Sequence, residues 1–237
     1  NLFDSETAAI IQGRWEGKTM PFGTAKDLPP PITGLPTLEI SDIHQTEKGI
    51  CFLGNGHQYC LPVFGNFQIQ IAAPSLLLDF LFHIPTKEIQ KSFDTFSPPK
   101  GRGLMMKGKN ETTLWDFSYN SSPKANSAVL NSFGEMRGKG QKIAILGTMN
   151  ELGDFAEREH EKLGKEAEKV SDSICFVGRY KESFSKGVGN KKALHTFENA
   201  DECGKFLLQE IKEGDILLFK GSQNGVFLEE TIKMLLQ

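Results

Sequence analysis

The sequence predicts an α/β protein: a mostly parallel C-terminal sheet with helices on both faces, preceded by a region of antiparallel strands and helices. Three observations carry this expectation. Beyond residue 103, short apolar runs alternate with amphipathic helical segments, the rhythm of strand, crossover helix and strand. Before residue 97, strand-like runs follow one another with turn residues between them. Between the two, Ser97-Pro98-Pro99-Lys100-Gly101-Arg102-Gly103 breaks every periodicity, which sets domains at 1–97 and 98–237.

Composition narrows the function classes. At 237 residues the chain is at the upper end for one domain and comfortable for two. Hydrophobic residues make up 38% and charged residues 24%, an ordinary globular profile. A net charge of −3 supplies no field to gather nucleic acid or an anionic membrane. The apolar run at 71–82 is broken by Pro74 and Asp79 and is too short to span a bilayer. The first residues include Asp4 and Glu6 and lack the basic cluster of a signal peptide, so a cytoplasmic location is expected. Cys51, Cys60, Cys175 and Cys203 show no C-x-x-C spacing, and all four are expected to be free, buried thiols. Because the chain starts at Asn1 and not at Met, a fragment of a longer protein is also expected.

In chain order, residues 1–20 read as a loop and a short helix with Ala8, Ala9 and Ile11 buried, and the proline-rich segment 27–36 as irregular. Strands follow at 37–43, 49–54 and 58–64, with Leu38, Ile40, Ile50 and Phe52 pointing inward. Gly54-Asn55-Gly56, beside His57, suits a hairpin turn. Helical spacing covers 68–82, and a short helix at 86–93 has Thr86 as its N-cap and Glu88 in its first turn. After the boundary, strands are expected at 112–116, 142–146, 173–177 and 215–219. Helices are expected at 123–136, 154–170, 200–211 and 226–236. Ser122 then Pro123, and Asp154 with Glu157, read as helix starts.

The organising stretch is residues 113–153. An apolar run ending in Asp116, a polar turn, a helix opened by Pro123, a second apolar run ending at Leu146 and a glycine turn make one strand–helix–strand unit. Right-handed crossovers would build a Rossmann-like sheet and set both polar loops at one edge of it, where open α/β sheets bind ligands. The candidate site is therefore Asp116, Tyr119, Asn120 and the turn at 147–153. Plainer readings stand beside it. Asp116 suits a turn cap, and Tyr119 and Asn120 suit a turn, since asparagine tolerates left-handed backbone. His160 shares a helical face with Ala156, Leu163, Ala167 and Val170, which favours a hydrogen-bonded core histidine over a catalyst. The charged stretch 157–169, with Glu161/Lys165, reads as a solvated face.

Three motifs carry a family resemblance. Asp116-Phe117-Ser118-Tyr119-Asn120-Ser121-Ser122-Pro123 is similar to D-D-S/T-Y-N-A-N-P. Leu146-Gly147-Thr148-Met149-Asn150-Glu151-Leu152-Gly153, followed by His160, is similar to L-G-D-M-x-E-L-G…H. Lys220-Gly221-Ser222 ahead of Leu228-Glu229 is similar to V-K-G-S-R…L-E. In these motifs the chain resembles the Mur ligases, in particular their MurF-like branch. Fainter matches are Asn1-Leu2-Phe3-Asp4 to N-x-D-D, Phe22-Gly23 to F-G, and Gly101-Arg102 to the G-R that opens the family's third domain. The resemblance implies that 1–97 is part of a central ATPase domain and 98–237 a C-terminal Rossmann-like domain.

The chain also departs from the family. The phosphate loop G-x-x-x-x-G-K-[ST] is absent from the 237 residues, so the chain alone is expected not to activate a substrate with ATP. Phe67, Gln68 and Ile71 replace the histidine and both asparagines of G-x-H-N-x-x-N; Phe117 and Thr148 replace aspartates, and Gln223 replaces an arginine.

The implied function is the C-terminal portion of an ATP-dependent amide ligase of bacterial peptidoglycan precursor synthesis. It would add D-alanyl-D-alanine to a UDP-muramoyl peptide through an acyl phosphate, with ATP and Mg as cofactors of the complete enzyme. The resemblance assigns Arg102, Asp116, Tyr119 and Asn120 to a nucleotide clamp, with Asn1 and Asp4 near the nucleotide or its metal. It assigns Lys220, Ser222 and Glu151 to the dipeptide, and no metal ligand. The two small-molecule substrates are the expected partners of a monomer without nucleic acid or membrane insertion. The alternative is a non-catalytic binding module on the same scaffold that has lost ATPase function, suggested by Phe67, Ile71, Phe117 and Thr148.

Overall fold

The computed structural model describes residues 20–23, 37–46, 49–189 and 192–236. The expected N-terminal helix with Ala8, Ala9 and Ile11, the segment 27–36, and the candidate residues Asn1 and Asp4 lie outside the described residues. The chain forms two compact units, Asn1–Ser97 and Pro98–Gln237. No helix among the described residues is long and apolar enough to cross a membrane.

In the first unit, β1 (Phe22–Gly23), β2 (Leu38–Thr46), β3 (Gly49–Gly54) and β4 (His57–Leu61) lie in that order. β1 pairs parallel with β2, and the other pairs are antiparallel. Alternation along the strands buries Leu38, Ile40, Ile50 and Phe52. Helices α1 (Ile69–Leu81) and α2 (Thr86–Asp94) complete this core with Ala73, Leu76, Ile89 and Phe93. Thr86 is the first helical residue and not the cap, a place taken by Pro85.

The hairpin overturns the reading of the cysteines. Asn55 and Gly56 adopt φ of 48° and 79°, the two left-handed residues of a type I′ turn. That turn sets Gly54 opposite His57 and hence Cys51 opposite Cys60. The two sulfurs form a disulfide, with Cα atoms 4.1 Å apart. A separation of 9 residues does not reveal a pair until a turn fixes the register. Cys175 and Cys203 are buried free thiols, as expected.

The second unit holds six strands in the order β5 (Leu104–Lys107), β6 (Thr113–Phe117), β10 (Ile216–Lys220), β7 (Lys142–Gly147), β8 (Ser173–Val177) and β9 (Ala193–Phe197). β5 is antiparallel to β6; the remaining neighbours are parallel. β10 is buried along its whole length, as a central strand covered on both faces must be. On one face, α3 (Pro123–Glu135), α4 (Ala156–Val170) and α5 (Lys181–Val188) pack in succession. There Phe176 of β8 meets His160 edge-on and stacks on Phe184. On the other face, α6 (Ala200–Glu210) and α7 (Leu228–Leu235) cover Ile143, Ile145, Val177, Leu217 and Phe219.

Among the described residues, β5, β9 and α5 go beyond the four strands and four helices expected here, apart from single short turns. β5 and β9 are half-exposed edge strands with weak alternation. α5 spans 8 residues and contains Gly187. The expected caps also differ. Ser122 does precede α3, with Pro123 in the first turn, but its hydroxyl makes no capping bond. α4 follows a 3-10 turn at Gly153–Phe155, so Phe155 and not Asp154 is its N-cap.

Candidate functional site

The topology brings three loops together. β10, the last strand in sequence, lies between β6 and β7, so the loop after it runs between the two loops of the organising stretch. Main-chain and side-chain bonds stitch the three. Gln223 N–H donates to the Tyr119 carbonyl (3.2 Å), and Ser222 N–H to the Thr148 carbonyl (3.2 Å). Asn150 N–H donates to Ser222 Oγ (3.3 Å), and Asn150 Nδ2 to the Asn224 carbonyl (2.8 Å). Lys220 Nζ donates to the Asn120 carbonyl.

Asp116 braces the first loop from within. Its Oδ1 accepts from the N–H (3.0 Å) and hydroxyl (2.7 Å) of Ser118, and its Oδ2 accepts from Gly101 N–H (2.8 Å). Gly101 has φ of 74°, and a Cβ there would lie 2.7 Å from Tyr119 Cβ, so only glycine allows this approach. The Arg102 guanidinium lies 4.2 Å from the centroid of the Tyr119 ring. Lys220 is only 4% exposed. Burial, and secondarily the charge of Arg102, pulls its ammonium down to about 8. It forms no ion pair among the described residues.

A polar cavity of about 330 Å³ opens between the loops. Tyr119, Asn120, Glu151, Ser222, Asn150 and Asn224 belong to its wall. Glu151 is the one charged residue in the wall and adopts φ of 62°, an outlier of the kind that collects at functional sites. A second, more apolar cavity of about 230 Å³ is lined by Asp116 and Tyr119 among others. Tyr119 and Gln223 line both cavities. The residues expected to hold nucleotide and those expected to hold dipeptide are thus interleaved: Tyr119, Asn120, Glu151 and Ser222 share one cavity. Arg102 lines neither, and Lys220 stands behind the loop.

Two of the substitutions fall away from this site. Thr148 is buried, and its hydroxyl donates to the Arg179 carbonyl (3.1 Å). Phe117 is buried edge-on to Trp115 at 4.9 Å. Neither lines either of these two cavities, whereas Gln223 lines both. Asn224 did not figure among the expected site residues, and Asn150 figured only as part of the turn at 147–153. Their signal was position, as polar side chains just past the ends of β7 and β10.

His160 is fully buried and supports the second loop. Its Nε2 accepts from Met149 N–H (2.9 Å), so its Nδ1 carries the proton that it donates to the Ala156 carbonyl (2.7 Å). Its ring stacks on Tyr180 at 4.6 Å. This is the core histidine that its helical spacing suggested. Burial lowers its pKa from 6.5. Below that value the unfolded chain takes up a proton that the folded chain refuses. The stability supplied by neutral His160 is whole above pH 6.5 and is lost as pH falls through the lower folded-state value. Urea unfolding is expected to show reduced stability at about pH 5.5 relative to about pH 7.5, with a smaller difference in His160→Gln.

A mostly parallel sheet with its last strand inserted between two strand–loop ends belongs to the open α/β class, whose members bind ligands at the carboxyl ends of their strands. The family described as "Mur ligase, glutamate ligase domain" matches residues 101–223, more than half of the chain, and the chain belongs to it. The chain is 26% identical over 211 residues to the UDP-N-acetylmuramoyl-tripeptide–D-alanyl-D-alanine ligase of Bacillus subtilis (strain 168), covering 84% of this chain and 45% of the relative. It is 26% identical to the ligase of the same name from Synechocystis sp., covering 100% of this chain and 48% of the relative. Among solved structures, MurF from Acinetobacter baumannii superposes with a TM-score of 0.79 at 22% identity, over 97% of this chain and 50% of that one. MurF from Thermotoga maritima in complex with ADP gives 0.69 at 23% identity, over 83% and 45%. At such identities these structures speak for the fold. The chain spans about half the length of the relatives it matches.

Proposed function

We propose that this chain is the C-terminal portion of an ATP-dependent ligase that adds D-alanyl-D-alanine to a UDP-muramoyl peptide in the bacterial cytoplasm, acting as a monomer. The observation that carries the reading is the polar cavity walled by the loops after β6, β7 and β10, the same loops that hold the three family motifs. The names of the two relatives supply the substrate class.

The residues suit a nucleotide. Tyr119 is 48% exposed, so one ring face is open to a base while Arg102 covers the ring from another side. The exposed Asn120 side chain offers amide donors and acceptors beside it. Bound ATP would supply the phosphoryl group that makes a carboxylate reactive toward an amine. Asp116 serves this site as a brace, because both of its oxygens are engaged within the loop. Among the described residues no group of three or more His, Cys, Asp or Glu is placed to hold a metal ion. Glu151 would take the ammonium of the incoming dipeptide, and Ser222 would hydrogen-bond its peptide group.

The test is complementation by the complete gene that encodes this chain, in a bacterium whose own D-alanyl-D-alanine-adding ligase is switched off. Restored growth is expected. Failure to restore growth, with the product folded and present, would overturn the reading. Titration calorimetry of the 237-residue chain alone with ATP and magnesium is expected to show only weak binding, at about millimolar affinity, for want of a phosphate loop.

A further inference from the structure

The outer face of the first sheet carries a row of groups that the ligase reading leaves unused. The alternation that buries Ile50, Phe52, Tyr59 and Leu61 in the core turns Cys51 and Cys60 to the opposite face. β2 extends the row, because its register sets His44 directly across from Cys51. Side chains so opposed share a face, with β-carbons about 5 Å apart, and His44 therefore stands beside one sulfur of the disulfide. The Asp42 carbonyl, 2.9 Å from His44 Nδ1, can only accept, so Nδ1 carries the proton of the neutral ring and Nε2 keeps its lone pair. His44 is exposed, Cys60 is half-buried and Cys51 is 7% exposed, so an incoming reagent meets Cys60 and the ring before Cys51. The Gln90 side chain grips the Cys60 main chain at its N–H and at its carbonyl, each at 2.9 Å, which holds β4 in register whether or not the sulfurs are joined.

We propose that His44, Cys51 and Cys60 form a redox site that exchanges its disulfide with low-molecular-weight dithiols. One sulfur of the dithiol attacks Cys60 Sγ. A mixed disulfide forms, the Cys51–Cys60 bond breaks, and its electron pair leaves on Cys51 Sγ. His44 Nε2 takes the proton of the attacking thiol and passes it to Cys51 Sγ, which assists both the nucleophile and the leaving group. The second thiol of the same molecule then attacks the mixed disulfide, and its proton goes to the departing Cys60 Sγ. The cysteine pair ends as two thiols and the dithiol as its own disulfide, and the reverse sequence restores the bond. The inference rests on this row of side chains and does not depend on the ligase reading.

The test is to equilibrate the 237-residue chain, near neutral pH and without denaturant, with mixtures of reduced and oxidised dithiothreitol. Samples are quenched with acid, unfolded and alkylated, and their thiols are counted by mass spectrometry. The count is expected to move between two, from Cys175 and Cys203, and four, with the added pair at Cys51 and Cys60. The change should reverse with the mixture and leave the circular dichroism unaltered. His44→Ala should slow the reduction by about tenfold. His57→Ala, in the same hairpin but opposite Gly54, should leave the rate unchanged. A pair that is reduced only in denaturant, four thiols at every mixture, or wild-type rates in His44→Ala would overturn the proposal. Should His44→Ala fail to fold, the wild-type titration decides by itself.

Discussion

Replacing Lys220 by methionine is expected to leave the fold at least as stable while loosening the ligand loop. In most exposed lysines the charge costs nothing, but Lys220 is buried and pulled down to about 8, so the folded state bears a desolvation cost. Methionine fills a similar volume without that cost. What is lost is the bond from Nζ to the Asn120 carbonyl, which joins two loops that lie 100 residues apart in the chain. Amide hydrogen exchange at residues 119–121 should therefore quicken by roughly tenfold or more, the equivalent of about 1.4 kcal/mol of local stability. In the complete gene product, nucleotide affinity should fall by a similar factor. Lys220→Met that unfolds early, or that leaves exchange in this loop unchanged, contradicts this account.

The same residue sets a pH dependence of the same sign as that of His160, in a more alkaline window. The folded-state value of about 8 lies below the ordinary 10.5, so between these two the unfolded chain holds a proton that the folded chain has released. Stability from this group rises as pH climbs from about 8 to about 10.5, by up to about 3 kcal/mol. Lys220→Met should flatten that rise in urea unfolding measured across the interval.

Gly187→Ala is expected to destabilise the protein by about 3 kcal/mol or more, the largest effect of any single methyl group considered. A Cβ at Gly187 would lie 1.9 Å from the Glu161 carbonyl oxygen, and one at Gly164 would lie 2.3 Å from that of Phe184. Both obstacles are backbone atoms, which cannot swing aside, so α4 and α5 would have to separate. His160 stacks on Tyr180 at the start of α5, so separation would also disturb the support of the 147–153 loop. Lys186→Ala, one residue earlier on an exposed position of the same helix, should change stability by less than about 0.5 kcal/mol. Thermal or urea unfolding of the two variants side by side makes the comparison, and a mild effect at Gly187 would show that the crossing is looser than described.

The strand–helix–strand unit at 113–153 was readable because its signals are local. Alternating and continuous apolar runs, Pro123 at the start of a helix and a glycine turn each lie within a few residues. Phe117 and Thr148 were misleading for the opposite reason. As letters in a motif they stand where acids are expected, but one packs on Trp115 and the other bonds the Arg179 carbonyl, and neither choice is visible in the motif itself. The elements α5 and β9 escaped notice because a short helix containing glycine and a half-exposed edge strand carry little periodicity.

By itself, then, the sequence determined the alternation of elements in the second unit, the hairpin turn at Asn55-Gly56, the core role of His160 and the family to which the chain belongs. Each of these is written in residues close together in the chain or in ordered motifs. Only the tertiary structure decided that the final strand enters the middle of the sheet, which buries Lys220, draws a third loop between the first two and makes Tyr119 and Gln223 a shared wall. It also decided that Cys51 and Cys60 bond to each other. Strand order and cross-strand register depend on which distant segments pair best, and no local pattern of side chains encodes that competition.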